Sequence, residues 1–152
     1  MGWDSKGLND VVDGRKKVGE NLVFSKTEVN VHNKENKTIL VIDDEPVIGS
    51  IIKRFMGNNG YSVHFCASSA EAISATKNTV PELIISDFNL PCCSNGIDLC
   101  LKIQQSTRKH VPVIIISGET KNELNAKKRG FAFMGKPLEK EKFLPLVEEC
   151  LS

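Results

Sequence analysis

Tryptophan and tyrosine occur once each in the 152 residues, and neither sign of charge prevails. Lys and Arg number 20 against 19 Asp and Glu, a formal net charge of +1. That balance leaves no basic excess to hold nucleic acid and no acidic excess to keep a tail solvated. Long hydrophobic runs are also lacking. The longest, such as Val113–Ile116, have the length of a strand, far short of the ~18 apolar residues of a spanning helix, and no membrane association is expected. The opening residues MGWDSKGLND have no basic n-region and no apolar core, so no secretory signal is read there. Gly2 fits a myristoylation pattern only in part, because position 6 is Lys6 rather than Ser or Thr. The five cysteines are odd in number and come without a signal, and they read as free thiols in a cytoplasmic protein. Cys92–Cys93 is a vicinal pair with no His at zinc spacing, and reads as two small loop residues.

The composition shifts near residue 37. Residues 1–36 hold six basic and six acidic side chains, and their apolar residues keep no period for long. They read as an extension, flexible or partly docked, with too little apolar surface to fold alone. Residues 32–37 (HNKENK) read as its linker. From there the pattern alternates. Strands are expected at Thr38–Ile42, Tyr61–Phe65, Glu82–Ser86, Val111–Ser117 and Phe131–Met134. Helices are expected at Pro46–Met56, from Ser68 to about Lys77, and over Gly96–Gln105, Glu119–Arg129 and Glu139–Leu151. Ser68 and Glu71 have capping-box spacing, and Asn58–Gly60 closes the first helix.

Five Val- and Ile-rich strands alternating with five helices point to an α/β fold with a parallel sheet buried on both faces. Right-handed crossovers then make a three-layer sandwich. The strand order 2-1-3-4-5 is expected by analogy with flavodoxin and the chemotaxis regulator. Residues 37–152 form this flavodoxin-like domain.

Ligands of such sheets bind at the carboxyl ends of the strands. Strand one ends in Asp43-Asp44-Glu45, strand three in Asp87, strand four in Ser117 and strand five in Lys136-Pro137. Two unit charges 4 Å apart repel by about 4 kcal/mol at an effective dielectric constant of 20. Clustered carboxylates therefore call for a cation, and an oxygen-only set favours a hard one, Mg²⁺ above all. Metal, ammonium and carboxylate together are the apparatus of phosphoryl transfer, with a carboxylate as nucleophile. A single Asp after a strand is as often a helix cap. Every one of these strand ends carrying a suitable residue is much harder to explain that way.

Residues 38–151 resemble the receiver domain of two-component response regulators. The residues that carry the resemblance are Asp43-Asp44-Glu45-Pro46, Asp87 within IISDFNLP, Ser117-Gly118 and Lys136-Pro137. The resemblance implies that Asp87 accepts a phosphoryl group from a sensor histidine kinase or a histidine phosphotransfer protein. It implies Mg²⁺ held by Asp44, Asp87 and the backbone carbonyl of Asn89, with Asp43 acting through water. It makes Ser117 the switching hydroxyl, Lys136 the phosphoryl-binding cation and Phe133 the aromatic switch. It also puts Asn89, Gly118 and Glu119 where side chains govern dephosphorylation, in a combination that goes with a short-lived mark. The chemistry is then confined to self-phosphorylation and self-dephosphorylation, so the domain is a signalling element rather than an enzyme, and it acts on an unidentified downstream protein.

The sequence departs from the commonest pattern in two places. Gly96 lies nine residues after Asp87, and the stretch from Ser117 to Lys136 is short. Both features are similar to receivers attached to hybrid sensor kinases, so a fragment of such a kinase is one alternative. A receiver-like binding module that works unphosphorylated is another. An aspartyl phosphatase would want a second carboxylate where Asn89 stands. Because the sequence ends soon after the last helix, the expectation is a receiver without a covalently attached output domain.

Overall fold

The computed structural model describes residues 37–57, 59–91 and 95–152. The extension 1–36, Asn58 and the Cys92–Cys93 pair lie outside the described residues. The elements are β1 (Thr38–Ile42), α1 (Pro46–Met56), β2 (Ser62–Cys66), α2 (Ser69–Asn78) and β3 (Leu83–Asp87). They continue with α3 (Gly96–Thr107), β4 (Val113–Ser117), α4 (Asn122–Lys128), β5 (Ala132–Gly135) and α5 (Lys140–Leu151). All pairings are parallel, and the sheet order is β2-β1-β3-β4-β5, as expected.

Strand alternation sorts the core into two halves. Ile39 and Val41 of β1, Leu83 and Ile85 of β3, and Ile114 and Ile116 of β4 face α1 and α5, where Ile48, Ile52, Phe143 and Val147 cover them. Leu40, Ile42, Ile84, Val113 and Ile115 face the other way, onto Ala72, Ile97, Cys100, Ile103 and Ala126 of α2, α3 and α4. Burying each large side chain of this kind stabilises the fold by about 1.5–3 kcal/mol. The central strands β3 and β4 are buried along their whole length, whereas β2 and β5, at the two edges, are half-exposed.

Where boundaries differ from expectation, a local cause is visible. Strand β3 runs on to Asp87 because Asp87 still pairs with Ile116 in the ladder. Its lower end is clamped to β1: the Thr38 N–H donates to Glu82 Oε1 at 2.6 Å, and the Glu82 N–H donates back to the Thr38 carbonyl at 2.9 Å. Strand β4 starts at Val113, two residues late, because Pro112 has no N–H to give a ladder. Helix α2 opens on the expected pair, with Ser68 Oγ accepting the Glu71 N–H. The Glu71 carboxylate, however, reaches back to the Ala67 N–H, one residue before the cap. Helix α3 extends to Thr107 and stops at Arg108, which takes a left-handed conformation at φ 56°. Helix α4 is the large departure. Instead of Glu119–Arg129 it is seven residues, Asn122–Lys128.

Candidate functional site

Parallel strands deliver their carboxyl ends to one rim, and the residues expected there meet. Asp43 follows β1, is fully buried, and folds back so that its Oδ1 accepts the Glu45 N–H at 2.8 Å. Asp87 ends β3 and is buried. Lys136 follows β5, and its backbone N–H is fixed to the Ser117 carbonyl at 2.8 Å. The Lys136 ammonium stands 3.2 Å from Asp43 Oδ2, 3.3 Å from Glu45 Oε1 and 3.5 Å from Asp87 Oδ1. The Lys136–Pro137 peptide bond is cis.

Too many negative charges crowd this rim for one lysine to balance. Carboxylate oxygens of Asp43, Asp44 and Asp87 all lie within 4.8 Å of one another, and Glu45 adds a fourth acid at the edge. Burial, then the charge of Asp43, push the Asp87 carboxyl up to about 6, against the pull of Lys136 and of the Asn89 N–H. Burial also raises Asp43 above the usual carboxylate range, although the Glu45 N–H and Lys136 counter it. Burial works to lower the Lys136 ammonium, but Asp43 and Asp87 overcome it and hold the group above its ordinary value. Each shift records the same imbalance, a low-polarity pocket short of positive charge.

The donor set fits a metal. Asp43 Oδ2 is buried without a hydrogen bond, and the Lys136 ammonium 3.2 Å away meets it as an ion pair. An orphaned, desolvated oxygen among three carboxylates suits a hard divalent cation, which binds oxygen without demanding a donor direction. Asp44, exposed beside it, opens the cluster to solvent.

The remaining candidates fall in two places. Ser117, at the end of β4, is buried, and its hydroxyl oxygen accepts the Glu119 N–H and the Asn122 Nδ2–H, each at 3.0 Å. Its bonds thus run to the start of α4 and not to Asp87. Phe133 of β5 is half-buried on the same sheet face as Ser117, packed against the α2–α3–α4 core. Asn89, Gly118 and Glu119 are exposed at the mouth of the site, and a Cβ placed on Gly118 would meet nothing within 4 Å.

Three further residues contribute to the site, none of which the sequence had given a role of its own. Glu45 ion-pairs with Lys136. Asn122, 2% exposed, anchors Ser117. Gly96, the first residue of α3, lies so close to β3 that a Cβ there would collide with the Asp87 carbonyl oxygen and stand 2.8 Å from Ser86 Oγ. Glu45 stood in the acidic run after strand one and Gly96 was marked by its spacing from Asp87, whereas nothing in the sequence marked Asn122.

Comparison with known proteins places the domain in a family. A family model described as the response regulator receiver domain matches residues 39–148. The response regulator Rre1 of Synechocystis is 26% identical over 120 residues, covering 76% of this chain. The chain spans about half of that relative (52%) and about a third (34%) of others it matches. Among solved structures, a receiver domain protein from Clostridium thermocellum is 28% identical, with a TM-score of 0.67 over 76% of this chain and 94% of that one. The chemotaxis response regulator CheY4 of Vibrio cholerae is 25% identical, with a TM-score of 0.68 over 76% and 98%. No helix among the described residues is long and apolar enough to cross a membrane. With the family model matched over residues 39–148 and the strand order that of the receiver fold, the chain belongs to the response regulator receiver domains, which are signalling domains rather than classical enzymes.

Proposed function

We propose that this receiver is controlled by phosphorylation of Asp87, with a phosphohistidine of a sensor kinase or histidine phosphotransfer protein as donor. The observation that carries the reading is the Lys136 ammonium, placed between Asp87 and Asp43 in a pocket that remains short of positive charge. A carboxylate oxygen of Asp87 attacks phosphorus, the P–N bond to the donor imidazole breaks, and the imidazole leaves with the electron pair. The product is an acyl phosphate. Lys136, 3.5 Å from the nucleophile, meets the phosphoryl oxygens as they gain charge. The Asn89 N–H, already bonded to the carboxylate, orients it. Asp44, Asp87 and the Asn89 carbonyl would hold Mg²⁺, with Asp43 acting through water, and the ion would supply the missing positive charge. Ser117 then donates a hydrogen bond from its hydroxyl to one of the phosphoryl oxygens, and Phe133 repacks on the same face.

Hydrolysis returns the carboxylate. The attacking water must approach past Asn89, Gly118 and Glu119, whose exposed positions leave the way open and support a short-lived mark. The free thiols Cys66, Cys100 and Cys150 support a cytoplasmic setting.

The test is the intact mass after incubation with acetyl phosphate and Mg²⁺. One adduct of about 80 Da is expected on the wild type and none on Asp87→Asn. An unmodified wild type would favour a binding module that works unphosphorylated, and an adduct on Asp87→Asn would move the site elsewhere.

A further inference from the structure

The Ser117 hydroxyl is already spoken for before any phosphoryl group arrives. Its oxygen accepts from the Glu119 N–H and from the Asn122 amide, both at 3.0 Å, and a hydroxyl has two lone pairs to offer. Ser117 is 1% exposed and Asn122 2% exposed. The Asn122 amide therefore has no solvent to turn to when its acceptor moves. A buried donor left unpaired costs its whole desolvation, whereas an exposed one rebonds to water.

We propose that Asn122 is a positioning residue that holds the Ser117 hydroxyl toward α4 while Asp87 is bare, so that a phosphoryl group must win the hydroxyl from it. The inference rests on the reading of Asp87 as phosphoacceptor and deepens it by naming what resists the switch. A phosphoryl group on Asp87 brings new acceptor oxygens, and Ser117 has one proton to donate. Swinging the hydroxyl to them takes its oxygen off the Asn122 amide. Asn122 is the first residue of α4, and the residue before it makes no side-chain cap bond. The start of this seven-residue helix thus leans on the Ser117–Asn122 bond. When the bond is lost, the amide finds a partner only if the first turn of α4 shifts or admits water. Asn122 sets the threshold of the switch and passes its movement to α4.

The experiment titrates beryllofluoride, a phosphoryl mimic, with Mg²⁺ into the full chain by calorimetry. The set is wild type, Asn122→Ala, Ser117→Ala and the double variant. Asn122→Ala should bind about five-fold tighter than wild type, the worth of one neutral hydrogen bond. In the Ser117→Ala background the same change should leave affinity unaltered, because the bond it removes is already gone. Asn122→Leu, which keeps the side-chain volume, should repeat the result if the alanine variant fails to fold. An unchanged affinity for both Asn122 variants, or an equal gain with and without the Ser117 hydroxyl, overturns the proposal. In those cases the wild type still binds and the Asp87 reading stands. A wild type that binds no beryllofluoride removes both.

Discussion

Asp87 stores the tension of the site in a single proton. With no cation bound, burial and Asp43 lift its carboxyl to about 6 from an ordinary 3.8. The folded state then holds this proton more tightly than the unfolded chain does. Stability from this group is complete below about pH 4 and is lost as pH rises through about 6. The two-unit difference corresponds to roughly 3 kcal/mol. In EDTA, Asp87→Asn should therefore be more stable than wild type at pH 8, with the advantage shrinking toward pH 4. Urea unfolding at several pH values measures it, and a constant difference across that range would contradict the crowded pocket. At Gly118 the open space that a side chain would enter permits a prediction of kinetics. Gly118→Met should lengthen the phosphorylated half-life severalfold by screening phosphorus from water. The check is a time course of phosphoprotein after donor removal, and an unaltered decay would mean that water enters elsewhere. Asp43, Asp44, Asp87 and Lys136 were legible because each terminates a strand whose buried pattern shows in the sequence. Asn122 was not, because nothing in a polar residue's type tells whether it will be sealed under a hydroxyl.

Elements place these residues, and glycine decides how closely they do so. The first turn of α3 presses on β3 through Gly96, whose N–H donates to the Phe88 carbonyl at 2.7 Å. A methyl group there would drive into the Asp87 carbonyl. Gly96→Ala should destabilise the domain by about 1–3 kcal/mol, as overpacking does, and slow phosphorylation by displacing Asp87. Thermal unfolding and the rate of adduct formation test both halves, and an alanine variant matching wild type in each would show that α3 can retreat freely. Strands were read from the sequence to within a residue or two, since continuous Val and Ile runs leave little choice. The start of α4 was misread by three residues. The helix was expected from Glu119, but the Ser117 hydroxyl takes the Glu119 N–H and bends the chain into a turn, closed by bonds from the Asn122 N–H to the Glu119 carbonyl and from the Glu123 N–H to the Thr120 carbonyl. Such competition between a side chain and the helix ladder leaves no mark in hydrophobic spacing.

For the molecule as a whole, a cation at the acidic rim should act as a staple across β1 and β3. At a hundredfold excess over its dissociation constant, Mg²⁺ should add about 2.7 kcal/mol to unfolding. The gain should be lost in Asp44→Ala, whose carboxylate is one of the clustered three. A melting temperature that Mg²⁺ fails to raise in wild type would count against the metal site. The sheet order carries a further consequence. The carboxylates ride on β1 and β3, in the middle, while Lys136 hangs on β5, an edge strand paired only with β4 among the described residues. Edge strands unzip before central ones. Amide hydrogens of β5 should then exchange with deuterium well ahead of those in β1, β3 and β4. In each such opening the lysine departs while the acids stay together, so a ligand bridging Lys136 to Asp87 would protect the β5 amides and leave the central strands as they were.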